Sequence, residues 1–299
     1  MDRIIRSMLE FPSRPLRRCT LSLGLAGAAT SLLQACSPVS FLERRVPEDT
    51  YRLVPDIAYG SHPRQRLDVY SPLDARTAAP VFVFFYGGAW TSGTRGFYRF
   101  VGEAMAARGI VTVVPDYRLH PEVRFPDFLD DSARAVRWAL DHAAKHGGDP
   151  SRVFIGGHSA GAYNAAMVAF DPRYAQAAGF DSRRLAGFIG LAGPYDFLPL
   201  TGRTTRAVFG WPDTSPATQP INVVSTGAPR SLLLYAVHDN LVGPHNSENL
   251  ARRLRELGTT VRIVPYETLG HRTLVGSLAR PLNWTGDAAD RIAAFISSP

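Results

Sequence analysis

One pentapeptide limits the architectures open to this chain of 299 residues: Gly157-His158-Ser159-Ala160-Gly161. An apolar run, Arg152-Val153-Phe154-Ile155-Gly156, leads straight into it, and an alanine-rich stretch, Ala162-Tyr163-Asn164-Ala165-Ala166-Met167-Val168, leads straight out. The first has the composition of a buried strand and the second that of a helix. So sharp a passage from strand to helix leaves no room for side chains on its flanks, and glycine stands two before and two after the serine. Such a turn pushes the serine out of the sheet edge with its hydroxyl exposed. The pentapeptide therefore predicts a strand–turn–helix unit.

The rest of the chain repeats that alternation. Tyr51–Tyr59 and Arg66–Tyr70 read as early strands. Pro80–Tyr86 holds Val81-Phe82-Val83-Phe84-Phe85, a continuous apolar run that marks a strand buried on both faces. Ile110–Val114 is a second such strand, closed by Pro115-Asp116. Leu185–Leu191, Ser231–Val237 and Val261–Val264 follow the strand that leads into the pentapeptide's turn, the elbow. Helices are predicted over 97–108, 127–146, 247–257 and 285–297; the second is amphipathic through Leu129, Ala133, Val136, Trp138 and Leu140. Strands alternating with helices predict an α/β fold with a mostly parallel central sheet and helices on both faces. One domain is expected over 51–299. Within it, residues 193–229 break the alternation, rich in Pro, Gly and Thr and carrying Phe197, Phe209 and Trp211. They predict a small irregular cap. No internal repeat is visible.

In such sheets ligands bind at the carboxyl ends of the strands. A serine placed there becomes a nucleophile when a base takes its proton, an acid orients the base and N–H groups hold the developing oxyanion. In this motif class the chain order is Ser, then Asp or Glu, then His. Asp239 follows the strand 231–237 and His271 follows the strand 261–264, each expected in a loop, 80 and 112 residues after Ser159. Alternatives stand beside them: His238 or His245 as base, and Asp196, after the strand 185–191, as acid. Asp239 could also be a turn or N-cap aspartate and His271 a solvent histidine. His158 is expected to point away and pack locally. The oxyanion hole is expected from Tyr86-Gly87-Gly88-Ala89-Trp90 with the N–H of Ala160. Gly88, Ala89 and Ala160 supply donors there, and Gly87 keeps the loop open. No Cys/His cluster has ligand spacing, so neither metal nor cofactor is expected.

Together these residues resemble the α/β-hydrolase superfamily, and within it the hormone-sensitive-lipase and carboxylesterase group, including arylformamidase-like and prenylcysteine-methylesterase-like members. Pro115-Asp116-Tyr117-Arg118-Leu119 and Gly148-Asp149-Pro150-Ser151-Arg152-Val153 match that group's habits, and the resemblance runs over about residues 55–297. The group has His-Gly-Gly-x-Trp at the oxyanion loop; here Tyr86 takes the first position, which leaves loop geometry and substrate range open. The resemblance implies hydrolysis of a carboxylic ester through an acyl-enzyme on Ser159, Asp239 and His271. Trp90 and the aromatic cap point to an apolar acyl or aryl substrate of small to medium size. Two other readings stay open: an amide or formamide hydrolase on the same triad, and a catalytically silent binding protein on the same fold.

The N-terminus reads differently. A basic segment, Arg14-Pro15-Leu16-Arg17-Arg18, precedes an apolar stretch from Leu21 to Leu33 that is short for a membrane span. It ends in Leu33-Gln34-Ala35-Cys36, which resembles a bacterial lipobox. That resemblance implies a signal peptide over 1–35, lipid on Cys36, and a tether over 36–50. Cys19 lies in the leader, so Cys36 would be the only cysteine left and no intrachain disulfide could form. Ser37 after the cysteine implies the periplasmic side of the outer membrane; a soluble periplasmic or secreted protein is the alternative. The formal charge of +7 is partly a leader effect, since five arginines against Asp2 and Glu10 leave +3 in residues 1–35. The remaining charge is dispersed and no basic run interleaves with aromatics, so nucleic acid is not an expected partner.

Overall fold

Residues Ala79–Phe85 (β3) run through the middle of the sheet because their side chains can be buried on both faces; Val81 through Phe85 are all inaccessible to solvent. The structure, a computed structural model, describes residues 45–74 and 78–298. The leader, Cys36 and the first part of the tether lie outside the described residues. The other strands are Tyr51–Ala58 (β1), Arg66–Pro72 (β2), Val111–Pro115 (β4), Gly148–His158 (β5), Gly187–Leu191 (β6), Ser231–Ala236 (β7) and Val261–Tyr266 (β8). They form one sheet in the order β1-β2-β4-β3-β5-β6-β7-β8. β1 and β2, and β2 and β4, pair antiparallel; every later pair is parallel. The parallel strands send their carboxyl ends to one edge.

Helices cover both faces, as the α/β expectation requires. Arg99–Ala106 (α1) and Ala288–Ser297 (α9) lie on one face. The other carries Asp127–His142 (α2), Ala160–Phe170 (α3) and Pro172–Ala177 (α4), joined by Arg203–Phe209 (α5), Pro220–Val223 (α6) and His245–Glu256 (α7). His271–Gly276 (α8) follows β8. Among the described residues no helix is long and apolar enough to cross a membrane.

Several boundaries move for local reasons. β5 begins at Gly148 rather than Arg152, because Gly148 pairs with Ala79 at the foot of β3. α2 ends at His142; its expected last turn tightens into a 3₁₀ turn, Ala143–His146, closed by Gly147 at φ 83°. The helix expected over 97–108 starts as a 3₁₀ turn, Arg95–Tyr98. Thr285 closes another such turn, Arg280–Thr285, before α9. α4 was not expected, yet its signal is local: Asp171 caps it by accepting from the Arg173 amide, and Pro172 opens it. The region 193–229 is less irregular than its composition predicts, since it holds α5, α6 and a 3₁₀ turn, Pro216–Thr218.

Candidate active site

The elbow is strained as its sequence requires. Ser159 has φ 55° and ψ −124°, a left-handed conformation that a side chain adopts only under constraint. The close approach beneath it accounts for both glycines. A Cβ on Gly157 would lie 2.3 Å from the Phe85 carbonyl oxygen, and one on Gly161 would lie 2.1 Å from the same atom. The turn can therefore sit directly on the end of β3, which is where the oxyanion loop begins.

Three loop ends converge on the serine. Asp239 follows β7, and its carboxylate Oδ2 accepts from His271 Nδ1 at 2.7 Å. A carboxylate only accepts, so Nδ1 carries the proton and Nε2 presents a lone pair. Ser159 Oγ donates to that Nε2 at 2.9 Å. Burial pushes the Asp239 carboxyl up, but hydrogen bonds from His271 and from the amides of Val242 and Leu241 outweigh it and hold the group below its ordinary value. Asp239 thus stays ionised beside the imidazole. His271 is the first residue of α8, after Gly270, and not a loop residue as the sequence predicts. The alternatives fall elsewhere. Asp196 accepts from Asn249 Nδ2 at 2.7 Å, His245 Nε2 lies 3.1 Å from the Asp196 carbonyl, and exposed His238 stands 3.8 Å from Glu267.

The loop facing Ser159 carries the expected residues in an unusual backbone: Gly88, Ala89 and Trp90 have φ values of 141°, 52° and 59°. The amides of Gly88, Ala89 and Ala160 donate to no group among the described residues, so they are free to bind an anionic oxygen. Gly87 lies against the nucleophile; a Cβ there would come within 2.9 Å of Ser159 Cβ.

Tyr86 orders this loop from below. Its ring stacks between Tyr98 and Tyr117, with centroids 5.4 and 4.9 Å away. Its hydroxyl donates to Asp116 Oδ1 at 2.7 Å and accepts from Arg64 Nη2 at 2.8 Å. Burial pushes the phenol well above its ordinary value, with the neighbouring Tyr117 and Asp116 adding to the rise, so it stays a neutral donor. Asp116 also accepts from the Arg95 amide and side chain, and Arg64 reaches the Gly93 carbonyl. The Tyr117 hydroxyl closes the set on the Tyr86 carbonyl at 2.8 Å. Sequence reasoning missed Arg64 and Arg95 altogether; Asp116 and Tyr117 were visible only as a motif after β4.

His158 departs from its expectation. Its ring does not simply pack beside the elbow: Nε2 lies 2.9 Å from the main-chain carbonyl of His271. The cap residues Phe197 and Phe209 pack on Trp90, at 6.5 and 4.8 Å, and on Tyr163, at 5.8 and 5.2 Å. Trp90 also donates from its indole to Asn164 Oδ1 at 2.9 Å. These rings fasten the cap to the oxyanion loop.

Comparison with known proteins bears on the family and the fold. The BD-FAE family model matches residues 67–254. A probable isoprenylcysteine alpha-carbonyl methylesterase of Arabidopsis thaliana is 27% identical over 241 residues, which cover 73% of this chain and 50% of that protein. Esterase LipC of Mycobacterium tuberculosis is 30% identical over 261 residues, 81% of this chain and 64% of that one. The chain spans about half the length of the curated relatives it matches. A hyperthermophilic esterase from Pyrobaculum calidifontis superposes with a TM-score of 0.74 at 25% identity, covering 90% of this chain and 92% of that chain.

Proposed function

The chain belongs to the BD-FAE family, and from that premise we infer that it hydrolyses carboxylic esters through an acyl-enzyme on Ser159. The observation that carries the reading is the hydrogen-bonded series Ser159–His271–Asp239, with the serine proton directed at a bare imidazole nitrogen. As Ser159 Oγ attacks the ester carbonyl, its proton passes to His271 Nε2 and the carbonyl π pair moves onto oxygen. The amides of Gly88, Ala89 and Ala160 receive that oxyanion. Each such donor contributes about 2.7–4 kcal/mol in the transition state. The C–O bond to the leaving alcohol then breaks, and His271 returns the proton to the alcohol oxygen. Water repeats both steps on the acyl-enzyme, releasing the acid and restoring Ser159. Asp239 holds the imidazole tautomer and offsets the positive charge it gains.

The substrate in this reading is a small to medium apolar or aryl ester. Esterase names among the relatives, and a methylesterase in particular, favour ester over amide. The same proposal places the protein in the cell envelope, held by lipid on Cys36, on the strength of Leu33-Gln34-Ala35-Cys36. Multiple acyl chains hold a protein at a bilayer stably. A panel of p-nitrophenyl esters from acetyl to decanoyl, with N-formyl anilides beside them, tests the reaction on protein lacking residues 1–36. Ester turnover is expected to exceed formamide turnover; the reverse ratio overturns the ester reading. Cys36→Ser is expected to move the full chain from the membrane to the soluble fraction, and retention at the membrane overturns the anchor.

A further inference from the structure

We propose that His158, the residue before the nucleophile, is a positioning residue for the catalytic base: its ring N–H holds the main chain of His271. The inference rests on the reading above and deepens it. His158 is 4% exposed, and its Nε2 meets the His271 carbonyl oxygen at 2.9 Å. A carbonyl only accepts, so Nε2 carries a proton. Its Nδ1 is buried without a hydrogen-bond partner. That atom faces the oxyanion loop: a Cβ built on Gly87 would stand 3.0 Å from His158 Nδ1 and 2.9 Å from Ser159 Cβ. One imidazole therefore links three parts of the site. It belongs to the elbow, lies against Gly87 and ties the first residue of α8.

The tie matters because of where His271 sits. Its side chain is oriented at both nitrogens, by Asp239 and by Ser159. Those two bonds can be made together only if the main chain beneath the ring is fixed. Within α8 the turn is tied by Thr273 Oγ1, which accepts from the Gly270 amide at 2.7 Å. The bond from His158 adds a tie from this turn to the elbow, across 113 residues of sequence. The two rings lie 4.8 Å apart between centroids, so a second titrating imidazole could compete for the serine proton. Burial, with the neighbouring His271, pushes His158 down to about 3, against smaller opposing effects of its bond to the His271 carbonyl and of Asp239; Arg272 lowers it further. His158 therefore stays neutral while His271 takes the proton.

The test compares His158→Ala with His158→Gln, whose amide N–H can reach the same carbonyl. His158→Ala is expected to lower kcat by about 10²-fold, the size of effect that ~1 Å of misplacement produces, with KM changed less than about threefold. His158→Gln is expected to recover all but about tenfold. The same order is expected in the rate at which a fluorophosphonate labels Ser159, which needs a reactive serine but no correct ester. Wild-type protein that labels but turns over no ester would refute the ester reading and leave this comparison intact. His158→Ala at the wild-type rate, or His158→Gln no faster than His158→Ala at equal Tm, overturns the inference. Should either variant not fold, ring ¹⁵N shifts in folded Ser159→Ala protein decide it. A neutral Nε2–H ring from pH 5 to 8 is expected, and a protonated or Nδ1–H ring overturns the proposal.

Discussion

The floor of the site and the cap above it are built from different forces. Beneath Ser159, position is set by short polar bonds: Tyr86 to Asp116 and Arg64, His158 to the His271 carbonyl, Asp239 to His271 and two amides. The cap adds a cluster of rings to its polar ties. Phe209 meets Trp90 at 4.8 Å and 90°, Phe197 at 5.3 Å and Phe125 at 5.6 Å. The Phe125 amide donates to the Val208 carbonyl, the Tyr163 hydroxyl to the Thr218 carbonyl, and Asn246 and Asn249 hold Tyr195 and Asp196. Hydrogen bonds are directional and weaken steeply as their angle falls below about 120°. Apolar packing is non-directional and tolerates substitution of similar volume. The floor can hold Ser159, His271 and Asp239 in one fixed geometry, while the packing of the cap tolerates change.

The largest effect should come from the floor. Ser159→Ala is expected to lower kcat on a p-nitrophenyl ester by about 10⁶-fold, as triad knockouts do elsewhere, with an unchanged far-UV spectrum. Substantial retained turnover would mean that the floor is not the catalytic part.

The next concerns pH and stability. His158 is pushed down to about 3 in the folded protein, whereas an unfolded histidine protonates near 6.5. The unfolded state therefore binds the extra proton first, and stability falls as pH drops through this window. The slope is about 1.4 kcal/mol per pH unit, on the order of 4–5 kcal/mol across the whole of it. Asp239, held below its ordinary value, adds stability that is present above about pH 4 and lost as pH falls through its lowered folded value. Urea unfolding from pH 7 to pH 4 measures the slope, and His158→Gln should flatten it. Equal slopes in the two proteins would remove His158 as the cause.

Two smaller effects should separate the regions. Phe209→Ala empties part of the ring cluster and is expected to cost about 3 kcal/mol in stability. It should change acetyl-ester turnover less than about threefold and shift the preferred acyl length. Tyr86→Phe keeps the stacking but removes the hydroxyl from Asp116 and Arg64. Asp116 keeps its bonds to Arg95 and Arg64 its bond to the Gly93 carbonyl, so each loses one partner of several. A hydrogen bond to a charged group is worth about 1.5–3 kcal/mol, so a loss near tenfold in kcat is expected, with acyl-length preference unchanged. If Tyr86→Phe altered preference and Phe209→Ala altered rate, the division between floor and cap would be wrong.

The legible parts of this molecule were those governed by neighbours in sequence. Val81 to Phe85 can only be a buried strand, and Gly157 and Gly161 can only flank a tight turn. The order Ser159, Asp239, His271 places each residue after a strand, and a parallel sheet gathers strand ends at one edge. The Asp171-Pro172 start of α4 is equally local. The partner of His158 was not legible, because the acceptor is a backbone carbonyl 113 residues away. Any residue can offer such a carbonyl, so no residue type signals it. The support beneath Tyr86 was hidden for a related reason. Arg64 and Asp116 stand 22 and 30 residues from it, and many other charged pairs lie at comparable spacing.

By itself, then, the sequence determined which residue types reach the carboxyl edge, because hydrophobic runs and glycine turns act over a few residues and leave a periodic trace. Only the tertiary structure decided how they are held there. It chose Asn249 rather than His271 as the partner of Asp196, made Tyr86 a neutral donor to Asp116, and set His158 against the main chain of the base. These are contacts between side chains and groups brought together by the sheet. Their energies depend on distances of a few ångströms that exist only once the strands have paired.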